Sequence, residues 1–411
     1  MLEASRATVG SLEGIRVIDL TRVISGPFCT QMLGDHGADV IKIEPPQHGD
    51  VVRSQGNKVK GFSWYFAQFN RNKRSLTLDL RSERGKAILW RLLEDADVLV
   101  ENFRPGVLGK MGLDDATLRE RFPRLVVGRI NGFGSEGPYR DRPAYDFIAQ
   151  AMSGFMSVNG PADGEPMRAA PPLSDMVASQ NLAFGICAAL VRRERTGQGD
   201  IVETALTNGL ISMMGYLAAE YFATDRVPAR TGNDHPMVYP YGLFKASDGD
   251  VAIAPSNDAM VERLLRALGC LELLEDSRFA DNARRMAHRE ELRERLNAVI
   301  GTRRVTEWID HLNAAGVPCG RVHSLRETFD DPQVQAQQMR LELDQGEHGR
   351  VPTTGFPVKM SEAPAAIYRH VPALGEHTRE ILAGLGLDEA AIQALHDEGV
   401  IGTLDIPAST R

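Results

Sequence analysis

Asp175 has the surroundings best suited to chemistry in this chain of 411 residues. It follows the diproline turn Pro171–Pro172 and directly precedes a helical stretch of small and apolar residues, Val177 to Val191. A carboxylate at a helix start, held by a stiff turn, faces the positive end of the helix dipole. Such a carboxylate can stay ionised and attack a carbonyl group as a nucleophile. Asp is also a preferred N-cap residue, so capping alone explains the same pattern.

The composition is that of an ordinary soluble globular enzyme. The net charge is −8, from 47 basic and 55 acidic residues, and no basic block dominates, so we expect no nucleic-acid partner. Four widely spaced cysteines show no metal-ligand spacing, and we expect no metal and free thiols in a reducing compartment: Cys29, Cys187, Cys270 and Cys319. We find no signal-peptide core and no apolar run of the roughly 18 residues that span a bilayer, which predicts a cytoplasmic protein without membrane contact.

The elements that position Asp175 alternate between strands and helices. Apolar runs predict strands at 15–20, 40–44, 76–80, 98–101 and 125–130, with helical patterns between several of them, and a further strand at 201–204. This alternation predicts an α/β fold with a parallel sheet flanked by helices. A long helix is expected over 206–223. The glycines Gly26, Gly34 and Gly37 do not form the G-x-G-x-x-G turn, which disfavours a nicotinamide dinucleotide.

The pattern changes after residue 225. A hairpin with a turn at Asp248-Gly249 is predicted over 242–254, and helices are predicted over 259–269, 288–300 and 305–315. These elements indicate a smaller α+β domain. From about 325 the chain reads as irregular, ending in short helices near 377–385 and 388–397.

Polar, basic and aromatic side chains follow two of the predicted strands. Asn102 and Phe103 follow the strand 98–101, Arg81 follows 76–80, and Lys110 and Met111 come shortly afterwards. Ligands collect at the carboxyl ends of parallel strands, and these side chains suit a ligand with phosphates at one end and an apolar arm at the other. Taken singly, each is equally explained as a solvated charge or a core side chain.

Eight ordered stretches carry a resemblance to a known family. They read LEGIRVID (12–19), GPFC (26–29), GADVIKIE (37–44), NKRS (72–75), VENFRPG (100–106), GFG with GP (132–134 and 137–138), GQG (197–199) and GEHT (375–378). From about residue 12 to 400 the chain resembles family III CoA-transferases, the family of formyl-CoA transferase and carnitine CoA-transferase. The family's catalytic aspartate falls on Asp175, which favours the nucleophile over the cap.

The resemblance implies an acyl-CoA:carboxylate CoA-transferase. A carboxylate attacks the acyl-CoA thioester to give a mixed anhydride, the CoA thiolate attacks the aspartyl carbonyl, and the acceptor acid repeats the exchange. Backbone N–H groups would stabilise the oxyanions. The implied partners are an acyl-CoA and a small carboxylic acid, with the coenzyme A thioester as substrate and no separate cofactor. The family's CoA contacts carry over to Val23, Leu78, Arg81, Asn102, Phe103, Lys110 and Met111, with Arg142 beside a further contact position at Pro143.

Three departures from the family pattern narrow the function. Ile24 stands where formyl-CoA transferase has Gln, and the loop 232–237 lacks its four glycines, so formyl or oxalate specificity is not expected. Tyr145 replaces the histidine of α-methylacyl-CoA racemase, and a phenol is a poor base near neutral pH, which favours transfer over racemisation. His235 is a candidate for contact with the acceptor, although a surface role explains it as well.

The resemblance further implies an interlocked homodimer and a Rossmann-like large domain. We expect residues 12–224 in this large CoA-binding domain, 225–325 in the small α+β domain, and 326–411 as a C-terminal segment that returns to the large domain. Three alternatives stay open: an α-methylacyl-CoA racemase or epimerase, an NAD enzyme, and a CoA-binding protein without catalysis. The sequence does not identify the acyl-CoA donor or the acceptor.

Overall fold

A computed structural model describes residues 10–59 and 61–402 of the chain. We number its elements in chain order. The strands are β1 (Arg16–Asp19), β2 (Asp39–Glu44), β3 (Lys58–Val59), β4 (Phe62–Ser63), β5 (Lys73–Thr77), β6 (Val98–Glu101), β7 (Val126–Asn131), β8 (Ile201–Ala205), β9 (Gly242–Ala246), β10 (Gly249–Ile253), β11 (Cys319–Arg321), β12 (Arg340–Asp344) and β13 (Arg350–Thr354).

The helices cover the intervening segments. They are α1 (Ser25–Asp35), α2 (Trp64–Gln68), α3 (Glu83–Glu94), α4 (Val107–Lys110), α5 (Asp115–Arg121), α6 (Asp146–Met152), α7 (Phe155–Val158), α8 (Leu173–Thr196), α9 (Leu206–Met213), α10 (Gly215–Thr224), α11 (Asp258–Leu268), α12 (Glu272–Glu275), α13 (Asn282–Ala287), α14 (Arg289–Ile300), α15 (Val305–Ala314), α16 (Leu325–Asp330), α17 (Pro332–Ala336), α18 (Thr378–Gly384) and α19 (Glu389–Asp397). Short 3-10 turns cover Val51–Arg53 and Gly346–His348.

Six strands form one parallel sheet in the order β5-β2-β1-β6-β7-β8. The prediction of an α/β fold with a parallel central sheet is therefore confirmed. The strand order reverses between β1 and β6, which are neighbours in the sheet although they are far apart in the chain. In open α/β sheets, ligands bind outside the carboxyl ends of the strands at such a switch point. The loops that follow β1 and β6 both lie there.

The central strands are buried on both faces of the sheet, which explains their nearly continuous apolar sequences. Ile18 and Leu99 pack on one face with side chains of α3, α18 and α19. Val17 and Val100 pack on the other face with side chains of α1 and α8. Successive residues of a strand point to opposite faces, so each short strand contributes to both cores.

The helix α8 begins at Leu173, four residues before the predicted start at Val177, since the diproline turn already directs the chain into it. By length and composition its 24 residues could cross a membrane, which the sequence analysis did not anticipate. In the structure it packs against β7, β8, α1 and α9, with Leu182 and Ile186 fully buried. A Cβ atom at Gly128 of β7 would lie 2.9 Å from the terminal Cδ1 of Ile186, so a larger residue there would shift that side chain.

Three further predictions differ from the structure. The strand predicted at 76–80 is β5, which begins earlier because buried polar residues such as Lys73 belong to it. The helix predicted over 206–223 is interrupted at Gly215, where φ is +43°. The segment read as irregular from 325 contains α16, α17 and the antiparallel hairpin of β12 and β13.

The chain divides into two compact units. The first comprises the described residues of Met1–Ser153, Ala170–Gly215 and Pro332–Arg411, and the second comprises Gly154–Ala169 and Tyr216–Asp331. The first unit holds the parallel sheet. The second holds an antiparallel sheet in the order β11-β10-β9 and its own apolar core, which includes Phe244, Leu264 and Trp308. The expected boundaries at 225 and 325 lie close to these bounds, but the sequence pattern does not indicate that 154–169 joins the second unit.

Candidate active site

A cavity of about 240 Å³ lies at the switch point of the parallel sheet. Its walls come from the loop after β1, the loop after β6, the segment after β7 and the start of α8, all in the first unit. Asp175, in the first turn of α8, is the one acidic side chain among the described residues that line it. The fold thus places this carboxylate where an α/β sheet binds its ligand.

Asp175 is not a helix cap. The N-cap position of α8 is Pro172, and no side-chain cap hydrogen bond forms there. The cap is supplied instead by Asp146 of α6, whose Oδ1 accepts hydrogen bonds from the backbone N–H and the hydroxyl of Ser174, each at 2.9 Å. Its Oδ2 accepts a 2.7 Å hydrogen bond from Gln150. Because Asp146 satisfies the helix start, the carboxylate of Asp175 is free for another purpose.

The environment of Asp175 favours its protonated form. Burial, followed by the nearby charge of Asp146, raises its pKa to about 7, although a hydrogen bond with the side chain of Ser25 opposes both effects. The helix dipole does not overcome these effects. The expected ionised carboxylate is therefore not the favoured form in the free protein, because burial stabilises the protonated form. Raised pKa values of this kind are typical of functional carboxylates.

The start of α1 meets the start of α8 at the cavity. Ser25, the first residue of α1, lines the cavity, and α1 has no side-chain cap. The hydroxyl of Ser179 lies 2.6 Å from the carbonyl oxygens of both Ser25 and Asp175, so it joins the two helices. A Cβ atom at Gly26 would lie 2.2 Å from Thr21, so this helix start requires glycine. Two positive helix ends at one carboxylate can stabilise an oxyanion that forms there.

Four arginines line the same cavity: Arg22, Arg104, Arg140 and Arg142. The guanidinium of Arg22 lies 5.3 Å from the ring centre of Phe103, and that of Arg142 lies 3.8 Å from the ring centre of Tyr139. Of the four, Arg140 alone has an acidic partner among the described residues, at 3.6 Å from Asp141. The cavity is therefore suited to an anionic ligand.

A second cavity, of about 320 Å³, adjoins the first. Arg22 and Phe103 line both, and the second cavity is further lined by the segments after β2 and β5. Leu78 lines the second cavity and is almost fully buried. Arg81 also lines it, but its side chain extends into solvent and pairs with Asp79 at 2.9 Å. We call these two neighbouring cavities, which extend from Arg81 to Asp175, the groove. A further cavity, lined by Phe122, Arg192 and the start of β8, contains none of the predicted site residues.

The structure brings most of the predicted residues to this groove. Val23, Asn102, Phe103 and Arg142 line the cavity of Asp175, and Leu78 and Arg81 line its neighbour. The amide of Asn102 is already engaged with the backbone of Arg22, through hydrogen bonds of 2.9 and 2.8 Å. Lys110 and Met111 line neither cavity. Lys110 is exposed at the end of α4, and Met111 packs against the apolar core.

Several residues of the site had no signal strong enough to be predicted. Asp146 and Ser25 act through contacts between elements that are distant in the chain. Tyr65 is a third case, since burial and the charges of Asp175 and Asp50 raise the pKa of its phenol. Tyr145, which the sequence did single out, lines the cavity and is 73% exposed. Among the described residues, no group of three or more His, Cys, Asp or Glu side chains is arranged to hold a metal ion.

Comparisons with known proteins identify the family of the chain. The model of CoA-transferase family III matches residues 12–378. A protein named succinate–glutarate CoA-transferase, from Agrobacterium fabrum, is 38% identical over 381 residues, which is 91% of this chain and 95% of that protein. An acetyl-CoA:oxalate CoA-transferase of Acetobacter aceti is 39% identical over 353 residues, which is 86% of this chain and 90% of that protein.

A solved structure is similar over nearly its full length. The crystal structure of a CAIB/BAIF family protein from Brucella suis superimposes with a TM-score of 0.81 at 36% identity, covering 92% of this chain and 100% of that one. The family match and these relatives extend over most of the chain. The chain is therefore an enzyme of CoA-transferase family III.

Proposed function

We propose that the enzyme moves CoA from a donor acyl-CoA to an acceptor carboxylic acid through covalent intermediates on Asp175. The observation that carries this proposal is the position of Asp175, alone among acidic lining residues, in the switch-point cavity where α1 and α8 begin. Asp146 supplies the cap of α8, so Asp175 is not needed for the stability of that helix. A carboxylate without a structural role in a basic cavity is a candidate nucleophile.

Each step exchanges one activated acyl group for another. An oxygen of Asp175 attacks the thioester carbonyl of the donor, the C–S bond breaks, and CoA leaves as a thiolate. The thiolate attacks the carbonyl carbon of Asp175, which releases the donor acid and leaves an aspartyl-CoA thioester. The acceptor carboxylate attacks that thioester, its C–S bond breaks, CoA leaves again as a thiolate, and a new mixed anhydride forms. The thiolate then attacks the new acyl group, which yields the product acyl-CoA and restores Asp175. No outside source of energy is required.

The surroundings of Asp175 suit this sequence of attacks. Its raised pKa makes the ionised form more basic than an ordinary aspartate, and therefore a better nucleophile. Each attack places negative charge on a carbonyl oxygen. The hydroxyl of Ser25 and the positive start of α1 are the groups we assign to stabilise that charge.

The groove provides a path for the coenzyme. We assign its phosphate-bearing end to the cavity of Leu78 and Arg81 and its thioester end to the cavity of Asp175. Arg22 and Phe103, which line both cavities, are placed to contact the stretch between these ends. Lys110 and Met111 lie outside both cavities, so we assign them no more than outer contacts with the coenzyme.

We infer that the acids exchanged are small dicarboxylic or hydroxy acids. One carboxylate must reach Asp175, and the guanidinium of Arg142 or Arg104 on the same cavity wall can bind a second. Relatives named for succinate, glutarate and oxalate support this class of substrate.

The test is a matrix of acyl-CoA donors against mono- and dicarboxylic acids, read by chromatography with wild type and Asp175→Ala. We expect transfer between dicarboxylates by the wild type and none by the variant. A racemase would instead exchange the α-proton of a 2-methylacyl-CoA for deuterium without any acceptor. A CoA-binding protein without catalysis would give neither signal. Transfer by Asp175→Ala at the wild-type rate would contradict the proposed mechanism.

We further propose a homodimer in a reducing, cytoplasmic compartment. The first unit exposes large apolar side chains on α8 and α9, including Phe184, Val191 and Ile211, and such surfaces commonly mark an interface. All four cysteines are free, which supports a reducing environment. Sedimentation velocity should give twice the mass of one chain at micromolar concentration, and a single-chain mass would contradict the dimer.

A further inference from the structure

The loop between β1 and α1 contains a strained residue at the edge of the active-site cavity. Val23 has φ of +67°, and it is the one β-branched residue with positive φ in the described part of the chain. Side chains branched at Cβ avoid this left-handed region, so the surrounding structure must enforce it. Val23 lines the cavity of Asp175 and lies two residues before Ser25, the first residue of α1.

The backbone N–H of Val23 donates to the carboxylate of Asp50. It lies 3.2 Å from each carboxylate oxygen of that side chain. Asp50 in turn pairs with Lys42 at 3.1 Å, and both side chains are completely buried. Lys42 also donates a 2.8 Å hydrogen bond to the carbonyl of Thr21. A fully buried ion pair is costly to desolvate, and here both of its members bond the backbone of one loop.

The rest of the loop is fixed in the same manner. The backbone N–H of Thr21 donates to Asp19, and the amide of Asn102 bonds both the N–H and the carbonyl of Arg22. Three consecutive residues are therefore each anchored by a different buried or half-buried side chain. Together, these hydrogen bonds set the direction in which the chain enters α1.

We propose that Asp50, paired with Lys42, is a positioning residue that holds Val23 in the left-handed conformation and thereby aims Ser25 and the start of α1 at Asp175. This inference rests on the proposed role of Asp175. Without the acceptor at residue 50, the N–H of half-buried Val23 loses its protein partner, and the residue relaxes toward extended backbone. Ser25 then moves away from the reacting carboxylate, and a displacement of about 1 Å at a reacting centre lowers the rate about 100-fold.

The test compares two double variants that differ only in the side chain at position 50, whose Oδ1 also accepts a 3.3 Å hydrogen bond from the backbone N–H of Val52. Lys42→Met with Asp50→Asn removes both charges but keeps an oxygen that accepts from Val23, whereas Lys42→Met with Asp50→Ala removes the acceptor as well. We expect kcat within about fivefold of wild type for the first and about 100-fold lower for the second. Adding Val23→Gly to the second variant should restore kcat to within about threefold of Val23→Gly alone, because glycine adopts positive φ without strain.

Two controls separate positioning from stability. Asp35→Asn breaks another buried ion pair, with Arg71 at 2.7 Å, which does not touch this loop, and it should lower Tm without changing the kcat of the folded enzyme. Val23→Pro forbids positive φ while leaving the ion pair of Lys42 and Asp50 intact, and it should lower kcat about 100-fold. This variant tests the conformation of Val23 even if an Asp50 variant does not fold.

The outcomes are decisive in either direction. Equal kcat for the two double variants, no recovery on adding Val23→Gly, or an active Val23→Pro would each overturn the positioning role. Chemical trapping of Asp175 in donor-loaded wild type is measured in parallel. If wild type is trapped there but the Asp50 variants are unaffected, only this inference fails. If wild type is never modified at Asp175, the proposed function itself fails.

Discussion

Two buried carboxylates near the carboxyl edge of the parallel sheet have opposite properties. Asp19, at the end of β1, accepts hydrogen bonds from the Thr21 backbone, from Thr30 at 2.7 Å and from Lys73 at 3.0 Å. Burial alone would raise its pKa, but the charges of Lys73 and Lys42 and the threonine hydroxyls lower it to about 2. For Asp175, burial and the charge of another acid, Asp146, together raise the pKa to about 7.

The difference shows what separates a structural acid from a reactive one in this fold. Burial acts in the same direction on both groups, so the number and charge of their partners decide the outcome. Asp19 is fully satisfied and holds the loop that follows β1. Asp175 has one opposing hydrogen bond, from Ser25, and is therefore a more basic carboxylate whose ionised form destabilises the fold.

The largest expected effect is on activity at the reactive acid. Asp175→Ala and Asp175→Asn should lower kcat/KM for transfer by about 10⁴-fold or more, since no other carboxylate among the described residues lines the cavity. The affinity for free CoA, measured by calorimetry, should change by no more than about threefold. A variant that keeps more than about a tenth of the wild-type activity would show that Asp175 is not the reactive acid and does not differ from Asp19 in this respect.

The next largest effect is on stability at the structural acid. Asp19→Ala leaves the ammonium group of Lys73 buried without its anionic partner, and we expect a loss of about 3–5 kcal/mol in the free energy of unfolding. Adding Lys73→Met should recover part of this loss. Urea unfolding measures both changes, and a loss below about 1 kcal/mol for Asp19→Ala would show that the pair is not a stabilising anchor.

The pH dependence of activity should follow Asp175. Its carboxylate is the nucleophile and its pKa is about 7, so kcat/KM for the donor should rise about tenfold per pH unit below 7 and become level above it. Asp146→Asn removes a charge that raises this pKa and should move the midpoint to lower pH. Burial also raises the pKa of Glu101 to about 7, so Glu101→Gln serves as the control that leaves the midpoint in place. A profile that is level from pH 5.5 would contradict the raised pKa.

The smallest effect is a gain in stability at the reactive acid. A pKa raised from 3.8 to about 7 means that the folded protein binds this proton more tightly than the unfolded chain. Ionisation of Asp175 therefore lowers the free energy of unfolding. The loss is near zero below pH 4, grows as pH rises, and reaches its full size above pH 7. Asp175→Asn should therefore stabilise the protein by about 1–2 kcal/mol at pH 8, allowing for partial solvent exposure, and by almost nothing at pH 4. Equal Tm changes at both pH values would contradict this linkage.

The sheet could be predicted because its strands carry continuous apolar runs with helical patterns between them, as in β1, α1 and β2. The position of Asp175 could be predicted from the ordered family motifs. The role of Asp146 could not, because it acts by capping a helix 28 positions further along the chain. The ion pairs of Lys42 and Lys73 were also not predictable, since lysines inside a strand read as solvent-facing until their buried partners are known. The raised pKa of Asp175 depends on the same tertiary contacts.

The central claim is that Asp175 becomes acylated during turnover, and it can be tested by mass spectrometry. Wild type loaded with an acyl-CoA donor is quenched with hydroxylamine or borohydride, digested and compared with Asp175→Asn. The account predicts a hydroxamate or a reduced side chain at position 175 of the wild type alone, formed only when donor is present. Full transfer activity with position 175 unmodified in every quenched sample would contradict it.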